Sequence, residues 1–370
     1  MRNYLKSNER RIILEKNKEL KKLITEINQT NKEKHHIIPT NIKSLDYILG
    51  GGFELGSKVQ FVAESSTGKS TIALQISKSF CERSLNVLYV DTENSITKEM
   101  LKSTGCYKYN DNEDENLGEF VLLKESDFDT VSNYLDKCLK SKYFKLIVID
   151  SLASMVSNCY TDLNSSKDVK SLTNNNTNYE SRPLNLFINK YSNLANKYNV
   201  AILYVNQYRN KVDPKNGTIL KEFGNKIVKY NSDIILKIKK DKEVLWQDTN
   251  GMFSNDYKTN EKIPPSHAKL SFVLDKSNKL LTGTSIDTYI KYGYGIDDML
   301  DETLDKVRNK EIQKDGKYYT LPEESKKHDG LINLVNNIIS VSKLSELCED
   351  DVVSRKDGLL EVEFIIDDEE

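Results

Sequence analysis

The stretch Ala63-Glu64-Ser65-Ser66-Thr67-Gly68-Lys69-Ser70 constrains the fold of this chain more than any other. The apolar run Val59–Val62 leads into it and the helix-compatible run Thr71–Ser79 leads out. A strand, a loop of small residues and a helix in that order make a phosphate-binding turn. Successive backbone N–H groups, backed by the helix N-terminus, form a concave nest for anionic oxygens. Lys69 adds a point charge and Ser70 a hydroxyl for Mg²⁺. A nucleotide is expected to lie against Glu64, Ser65, Ser66, Thr67, Gly68, Lys69, Ser70 and Thr71. The usual pattern opens with glycine where this chain has Ala63, and alanine fits there only if φ stays negative.

At 370 residues the chain exceeds the size at which one core stops growing, so a large α/β domain with smaller attachments is expected. Lys and Arg number 54 against 56 Asp and Glu, and this balance says nothing about partners. The distribution says more: residues 1–36 are biased to basic side chains, and the chain ends in Asp367-Asp368-Glu369-Glu370. The five cysteines (Cys81, Cys106, Cys138, Cys159, Cys348) show no C-x-x-C spacing, which argues against a disulfide framework or a zinc ribbon and for a reducing cytosol. No apolar run is long enough to span a membrane, and the charged N-terminus lacks the apolar stretch of a secretory signal.

Leu20, Leu23, Ile24 and Ile27 recur at helical spacing, so residues 3–30 read as an amphipathic helix set off by the polar stretch Asn28–Lys34. Such a helix packs either on its own core or on a neighbouring subunit. Beyond it, buried-strand runs at Val59–Val62, Val87–Val90, Leu146–Ile149, Ala201–Val205 and Ile234–Ile238 alternate with helical stretches. That order predicts a mainly parallel sheet with helices on both faces. Two polar segments interrupt it, Ser154–Ser181 and Tyr208–Phe223, and both read as long loops. After Leu274 the pattern weakens to a helix at Asp297–Val307, an extended piece at Gly316–Leu321 and a helix at Leu331–Leu347. The expected organisation is a helical oligomerisation segment at 1–36, a core at 37–285, a small α+β domain at 286–347 and an acidic tail at 348–370.

Tyr89-Val90-Asp91-Thr92-Glu93 brings two carboxylates to a strand's carboxyl end, the edge where parallel sheets bind ligands. Glu93 can there accept a proton from an attacking water or orient it, although acidic strand ends also serve as helix caps. Leu146–Ile149 runs into Asp150, placed to hold the Mg²⁺ shell opposite Ser70. Ala201–Val205 runs into Asn206-Gln207, and Gln207 can sense a γ-phosphate and move the segment behind it; the pair also suits a plain turn. That segment carries Arg209, Lys211, Lys215 and Lys221 with Tyr208 and Phe223 interleaved, a composition suited to single-stranded nucleic acid or simply to solvent.

Thr40-x-x-x-Ser44-Leu45-Asp46 with Gly50-Gly51-Gly52, the phosphate loop, Glu93, Asp150 and Asn206-Gln207-x-Arg209 follow one another in the order and spacing of the RecA recombinases. Over roughly residues 37–320 the chain resembles a RecA-type recombinase. Within that family it resembles the divergent phage UvsX-like branch most, since Glu93-x-x-Ile96-Thr97-x-x-x-Leu101-x-Ser103-x-Gly105 looks like the segment after that branch's catalytic glutamate. Lys317-Tyr318-Tyr319 resembles the aromatic element opening that family's C-terminal domain. The resemblance implies a RecA-like P-loop NTPase core. The activity it implies is a DNA-dependent ATPase that uses ATP and Mg²⁺ to assemble filaments on single-stranded DNA, pair them with homologous duplex DNA and exchange strands. It also implies DNA-binding loops near 154–181 and 208–224, with Lys167, Lys170 and Arg182 as contacts of the first. An N-terminal helix docking on the next subunit, a tail restraining duplex access, single-strand-binding and mediator partners, and the cytoplasm of a bacterial or phage-infected cell complete the expectation.

Met100 stands where the family often stacks a tyrosine on adenine. Of a lysine pair reaching the γ-phosphate from the neighbouring subunit only Lys262 is kept, Asn260 taking the other place and Lys258 lying near. Ala63 and Asn260 favour a second reading, a non-exchanging paralogue or filament mediator. A ring-forming RecA-superfamily ATPase is a third.

Overall fold

The computed structural model describes residues 21–23, 36–109, 116–157, 178–213, 217–255, 264–322 and 324–342. The chain forms two units, residues 1–37 and 38–370. In the first, residues 21–23 are helical; the remainder of the helix expected over 3–30 lies outside the described residues, as does the acidic tail at 348–370.

In the second unit, the sheet's central strand is β1 (Lys58–Ala63), flanked by β5 (Ala201–Asp213) and β7 (Ile234–Gln247), both parallel to it. Beyond β5 lie β4 (Phe144–Asp150), β2 (Asn86–Asp91) and β3 (Phe120–Leu123), again all parallel. On the other side β9 (His267–Ser277), β10 (Ser285–Lys291) and β11 (Gly295–Ile296) continue from β7 in antiparallel register. Two more strands pair off this path, β6 (Gly217–Glu222) with β5 and β8 (Phe253–Ser254) with β7, making eleven.

The parallel strands read as continuous apolar runs because both of their faces are covered. Val87 and Tyr89 of β2, and Leu146 and Val148 of β4, enter one core. That core is closed by α1 (Lys43–Leu49), α2 (Lys69–Cys81) and α3 (Lys98–Thr104). Their neighbours Leu88, Val90, Ile147 and Ile149 enter the other, closed by α4 (Phe128–Ser141), α5 (Asn178–Tyr198) and α6 (Asn225–Asn231). The period of two distributes alternate residues to opposite faces, and each fully buried Leu, Ile or Phe contributes about 1.5–3 kcal/mol.

Three features depart from the sequence expectation. Tyr208–Phe223 is not a loop: β5 runs on to Asp213 and β6 returns beside it, with Tyr208 opposite Glu222, Arg209 opposite Lys221 and Lys211 opposite Ile219. Val212, Thr218 and Ile219 favour extended backbone, but the Lys, Arg and Asn residues between them mask any alternation. β7 extends nine residues past Ile238, because β9 pairs with it as far as Leu245 and β8 beyond that. The sheet also continues across the 285/286 boundary: β10 alternates exposed Ser285 and Asp287 with buried Ile286 and Thr288 and pairs along β9. After β11, α7 (Asp298–Arg308) leads into an antiparallel trio, β12 (Gln313–Asp315), β13 (Tyr318–Thr320) and β14 (Lys327–Asp329). A helix over residues 331–342, α8, packs its Leu334 with Ile312 and Tyr319 of this trio's region.

Candidate active site

The carboxyl ends of β1, β2 and β4 share one edge with Gln207 of β5, since these strands are parallel and adjacent in register: Ala63 pairs with Gln207, and Asp91 with Asp150. Ala63 ends β1, fully buried in the first core, and the backbone turns to positive φ only at Ser66 (59°) and Gly68 (94°). The turn that normally needs glycine is thus taken further along the loop, and the Ala63 methyl group packs as a core atom. Gly68 caps α2 in the left-handed region, where any side chain would be strained. The Thr67 hydroxyl donates to the Glu64 carbonyl at 2.8 Å and closes the loop, leaving Glu64, Ser65 and Ser66 exposed at its tip; Thr71 is half-buried in the first turn of α2.

Lys69 folds back onto this loop, donating to the Glu64 carbonyl at 2.6 Å and to that of Ala63 at 3.4 Å. Burial lowers its pKa, opposed by the carboxylates of Asp150 and Glu93. No carboxylate pairs directly with it among the described residues. A buried ammonium held only by carbonyls is suited to meeting an anion.

Asp150 is buried at the end of β4 and accepts the Tyr89 hydroxyl at 2.6 Å. Burial raises its pKa, opposed by hydrogen bonds from Ser70 and Tyr89 and reinforced by Glu93 and Asp91. A divalent cation beside Ser70 and Asp150 would relieve this crowding of negative charge, so the donor set fits Mg²⁺. The Asp150–Ser151 peptide bond is cis.

The two carboxylates of β2's end have different fates. Asp91 is turned back on the chain, accepting the backbone N–H groups of Ser95 at 3.1 Å and Ile96 at 2.9 Å and so fixing the turn ahead of α3, whose own cap is Thr97. Glu93 instead stands exposed at the edge, and its Oε1 accepts three side-chain donors: Ser151 Oγ at 2.6 Å, Ser154 Oγ at 2.9 Å and Gln207 Nε2 at 2.7 Å. Thr92 joins the two strand ends, donating its hydroxyl to the Ser151 carbonyl at 2.8 Å and accepting the Ser151 N–H at 2.7 Å.

Asn206 and Gln207 divide the work on β5, where it passes the last residues of β1 and runs on into the hairpin. Asn206 is buried; it donates to the Phe223 carbonyl at 2.8 Å and accepts the Gln207 N–H at 2.8 Å, while the Phe223 N–H donates to the Gln207 carbonyl at 3.0 Å. These bonds clip the base of the β5–β6 hairpin and leave the Gln207 side chain on Glu93. Lys237 braces the same base, 3.5 Å from Glu222 and 2.7 Å from Asp275. Half-buried Tyr208 sits above them, its phenol pKa raised by burial, lowered by Lys237 and raised by Glu222, Asp275 and Glu64.

The structure therefore joins Lys69, Ser70, Asp150, Glu93 and Gln207 at one edge. Met100 is half-buried near the start of α3, against the first core, and Ser103 of that helix donates to the Gly293 carbonyl at 2.5 Å. Arg209, Lys211 and Lys221 occupy hairpin strand positions, and Phe223 is half-buried against the second core. Arg182 is exposed on α5, which begins at Asn178 and so takes the last residues of the segment expected as a loop over Ser154–Ser181 into a helix. Lys167, Lys170, Lys215 and Lys262, with Lys258 and Asn260, lie outside the described residues. Sequence reasoning missed Tyr89, Ser151 and Ser154. A tyrosine within an aliphatic buried strand does signal a hidden polar partner, whereas Ser154 looked like any residue opening a polar segment.

Residues 11–274 match a family model described as the RecA N-terminal domain. Among curated proteins, the chain is 25% identical to Protein RecA of Phytoplasma mali over 330 residues, 87% of this chain and 88% of that protein. It is 27% identical to the DNA repair and recombination protein RadB of Methanosphaera stadtmanae over 208 residues, 55% of this chain and 81% of that protein. A crystal structure of the RadB recombinase superposes with a TM-score of 0.46 at 23% identity, covering 70% of this chain and 98% of that one. No helix among the described residues is long and apolar enough to cross a membrane.

Proposed function

The chain belongs to the RecA N-terminal domain family, and from that premise we propose that it is an ATP-dependent recombinase acting in DNA recombination and repair. It assembles on single-stranded DNA and promotes pairing and strand exchange with homologous duplex. The observation that carries this reading is the Gln207–Glu93 hydrogen bond, which joins the root of a basic hairpin to a carboxylate whose charge acts on Lys69 of the phosphate loop.

In this mechanism Lys69 leaves the loop carbonyls for the β- and γ-phosphates, and Ser70 and Asp150 are the residues that would hold Mg²⁺. The metal, when bound, neutralises charge on the phosphate oxygens. Glu93 orients the attacking water and takes its proton. Gln207 turns its amide to the γ-phosphate, shifting the hairpin whose base Asn206 clips, so that the nucleotide state is relayed to Arg209, Lys211, Lys215 and Lys221. Lys262 reaches the γ-phosphate of the neighbouring subunit, which ties turnover to assembly. The part of the 154–181 segment that lies between the Ser154 turn and α5, with Lys167 and Lys170 in it and Arg182 near the start of α5, supplies the first DNA contacts. Residues 1–36 join subunits; α7, the antiparallel trio and α8 within 286–347 form the C-terminal domain; and the tail at 348–370 restrains duplex access. A UvsX-like lineage, a phage or bacterial cytoplasm, and single-strand-binding and mediator partners belong to the same proposal.

ATP turnover with and without single-stranded DNA tests it. Wild type is expected to be stimulated by DNA, with stimulation lost in Glu93→Gln; absence of any such turnover refutes the enzymatic reading. Asn260 favours a non-exchanging mediator as the second reading. Stimulated turnover without joint-molecule formation would identify that case.

A further inference from the structure

Glu93 needs more than Gln207 to hold it. If the Gln207 amide turns toward a γ-phosphate, Glu93 loses one of the three donors on Oε1 at the moment its orientation matters. Ser151 and Ser154 are the donors that stay.

Ser154 is fixed from both sides. It closes a single 3₁₀ turn, Leu152–Ser154, whose Leu152 and Ala153 are buried, and its own N–H donates to the Ser151 carbonyl at 3.2 Å. Beyond it Met155 is buried, and Val156 bridges to the start of α4, donating to the Ser126 carbonyl at 2.9 Å and accepting the Phe128 N–H at 2.9 Å. The Ser154 hydroxyl is thus delivered by a packed turn with pinned flanks, 3.3 Å from the Ser151 hydroxyl and 2.9 Å from Glu93 Oε1. Oε2 of Glu93 takes no hydrogen bond among the described residues.

We propose that Ser154 is a positioning residue for ATP hydrolysis: with Ser151 it anchors Glu93 by Oε1 and so presents Oε2 to the attacking water. The inference rests on the ATPase reading above. Orienting a reacting group within a fraction of an ångström is what such supporting hydrogen bonds contribute.

The test uses the full chain with Mg-ATP and saturating single-stranded DNA. Ser154→Ala is expected to lower kcat about ten-fold, the worth of one hydrogen bond to a charged group, with KM unchanged within about two-fold. Ser154→Thr, which keeps the hydroxyl, is expected to recover most of the rate. In a Glu93→Gln background Ser154→Ala is expected to change residual turnover no further. An unchanged kcat in Ser154→Ala, failure of threonine to rescue, or a full additional loss on top of Glu93→Gln would each overturn the inference while leaving the ATPase reading intact. A wild type that hydrolyses no ATP overturns both.

Discussion

The two halves of the central sheet use the same kinds of buried polar residue in opposite ways. In the antiparallel half those residues close on one another. His267 lies between Ser266 Oγ at 2.8 Å and Asp297 Oδ2 at 3.1 Å; Asp301 accepts the Ser44 N–H at 3.1 Å and the Thr288 hydroxyl at 2.7 Å. The Gln75 amide pairs with both backbone groups of Ile296, at 2.7 and 3.0 Å. In the parallel half the groups at the carboxyl edge have capacity left over. Lys69 rests on carbonyls of its own loop, Asp150 is crowded by like charge, and Glu93 is held by one oxygen only. Closed networks hold α1 and α7 to the sheet; open ones mark where a ligand would complete the bonding.

The contrast can be broken by substitutions on either side. The largest effect is expected for Glu93→Gln, which should cut DNA-stimulated ATP turnover by roughly 10²–10⁴-fold in steady-state assays while nucleotide affinity stays near wild type. Next comes Asp301→Ala on the closed side, which strips the partner from a buried N–H and a buried hydroxyl. It should cost about 2–4 kcal/mol in denaturant unfolding with nucleotide affinity preserved. A nucleotide defect there, or an unfolding defect of that size in Glu93→Gln, would erase the distinction between the halves.

Asn206→Ala is expected to be smaller, about 1 kcal/mol, and local. Faster amide exchange at Phe223 together with weaker DNA stimulation would show that the clip at the hairpin base transmits the nucleotide state. The smallest effect is a pH dependence. Burial works against ionised Asp297, but the His267 hydrogen bond, the Leu300 N–H and the charges of His267 and Lys291 outweigh it and hold its pKa below the usual 3.8. An acid depressed in the folded state contributes stability above its unfolded pKa and loses it as pH falls through the folded value. Thermal unfolding should therefore show a stability decline below about pH 4 that Asp297→Asn flattens.

The parallel strands were legible because burial on both faces leaves an uninterrupted apolar signature: Val87–Val90 and Leu146–Ile149 lie within β2 and β4. The hairpin after Gln207 and the far half of β7 were not. Their strands are held by backbone pairing, and charged residues such as Lys239, Lys240 and Lys242 hide their period. At the site, Lys69, Asp150 and Glu93 could each be read from position at a strand end or loop, and Gln207 from the end of an apolar run, although β5 continues past it to Asp213. Ser151 and Ser154 could not, because a hydroxyl's role depends on a partner 58 or 61 residues away in the chain. Asp91 shows the converse: one carboxylate at the same strand end is spent on the N–H groups of the following turn, and only the fold tells it from its neighbour.

Titration calorimetry of the purified chain with Mg-ATP tests the central claim, that a triphosphate completes the open network at the carboxyl edge. Wild type should bind with a measurable heat that Lys69→Ala abolishes while its unfolding midpoint stays close to wild type. Equal heats for the two proteins, or none for either, would contradict the account.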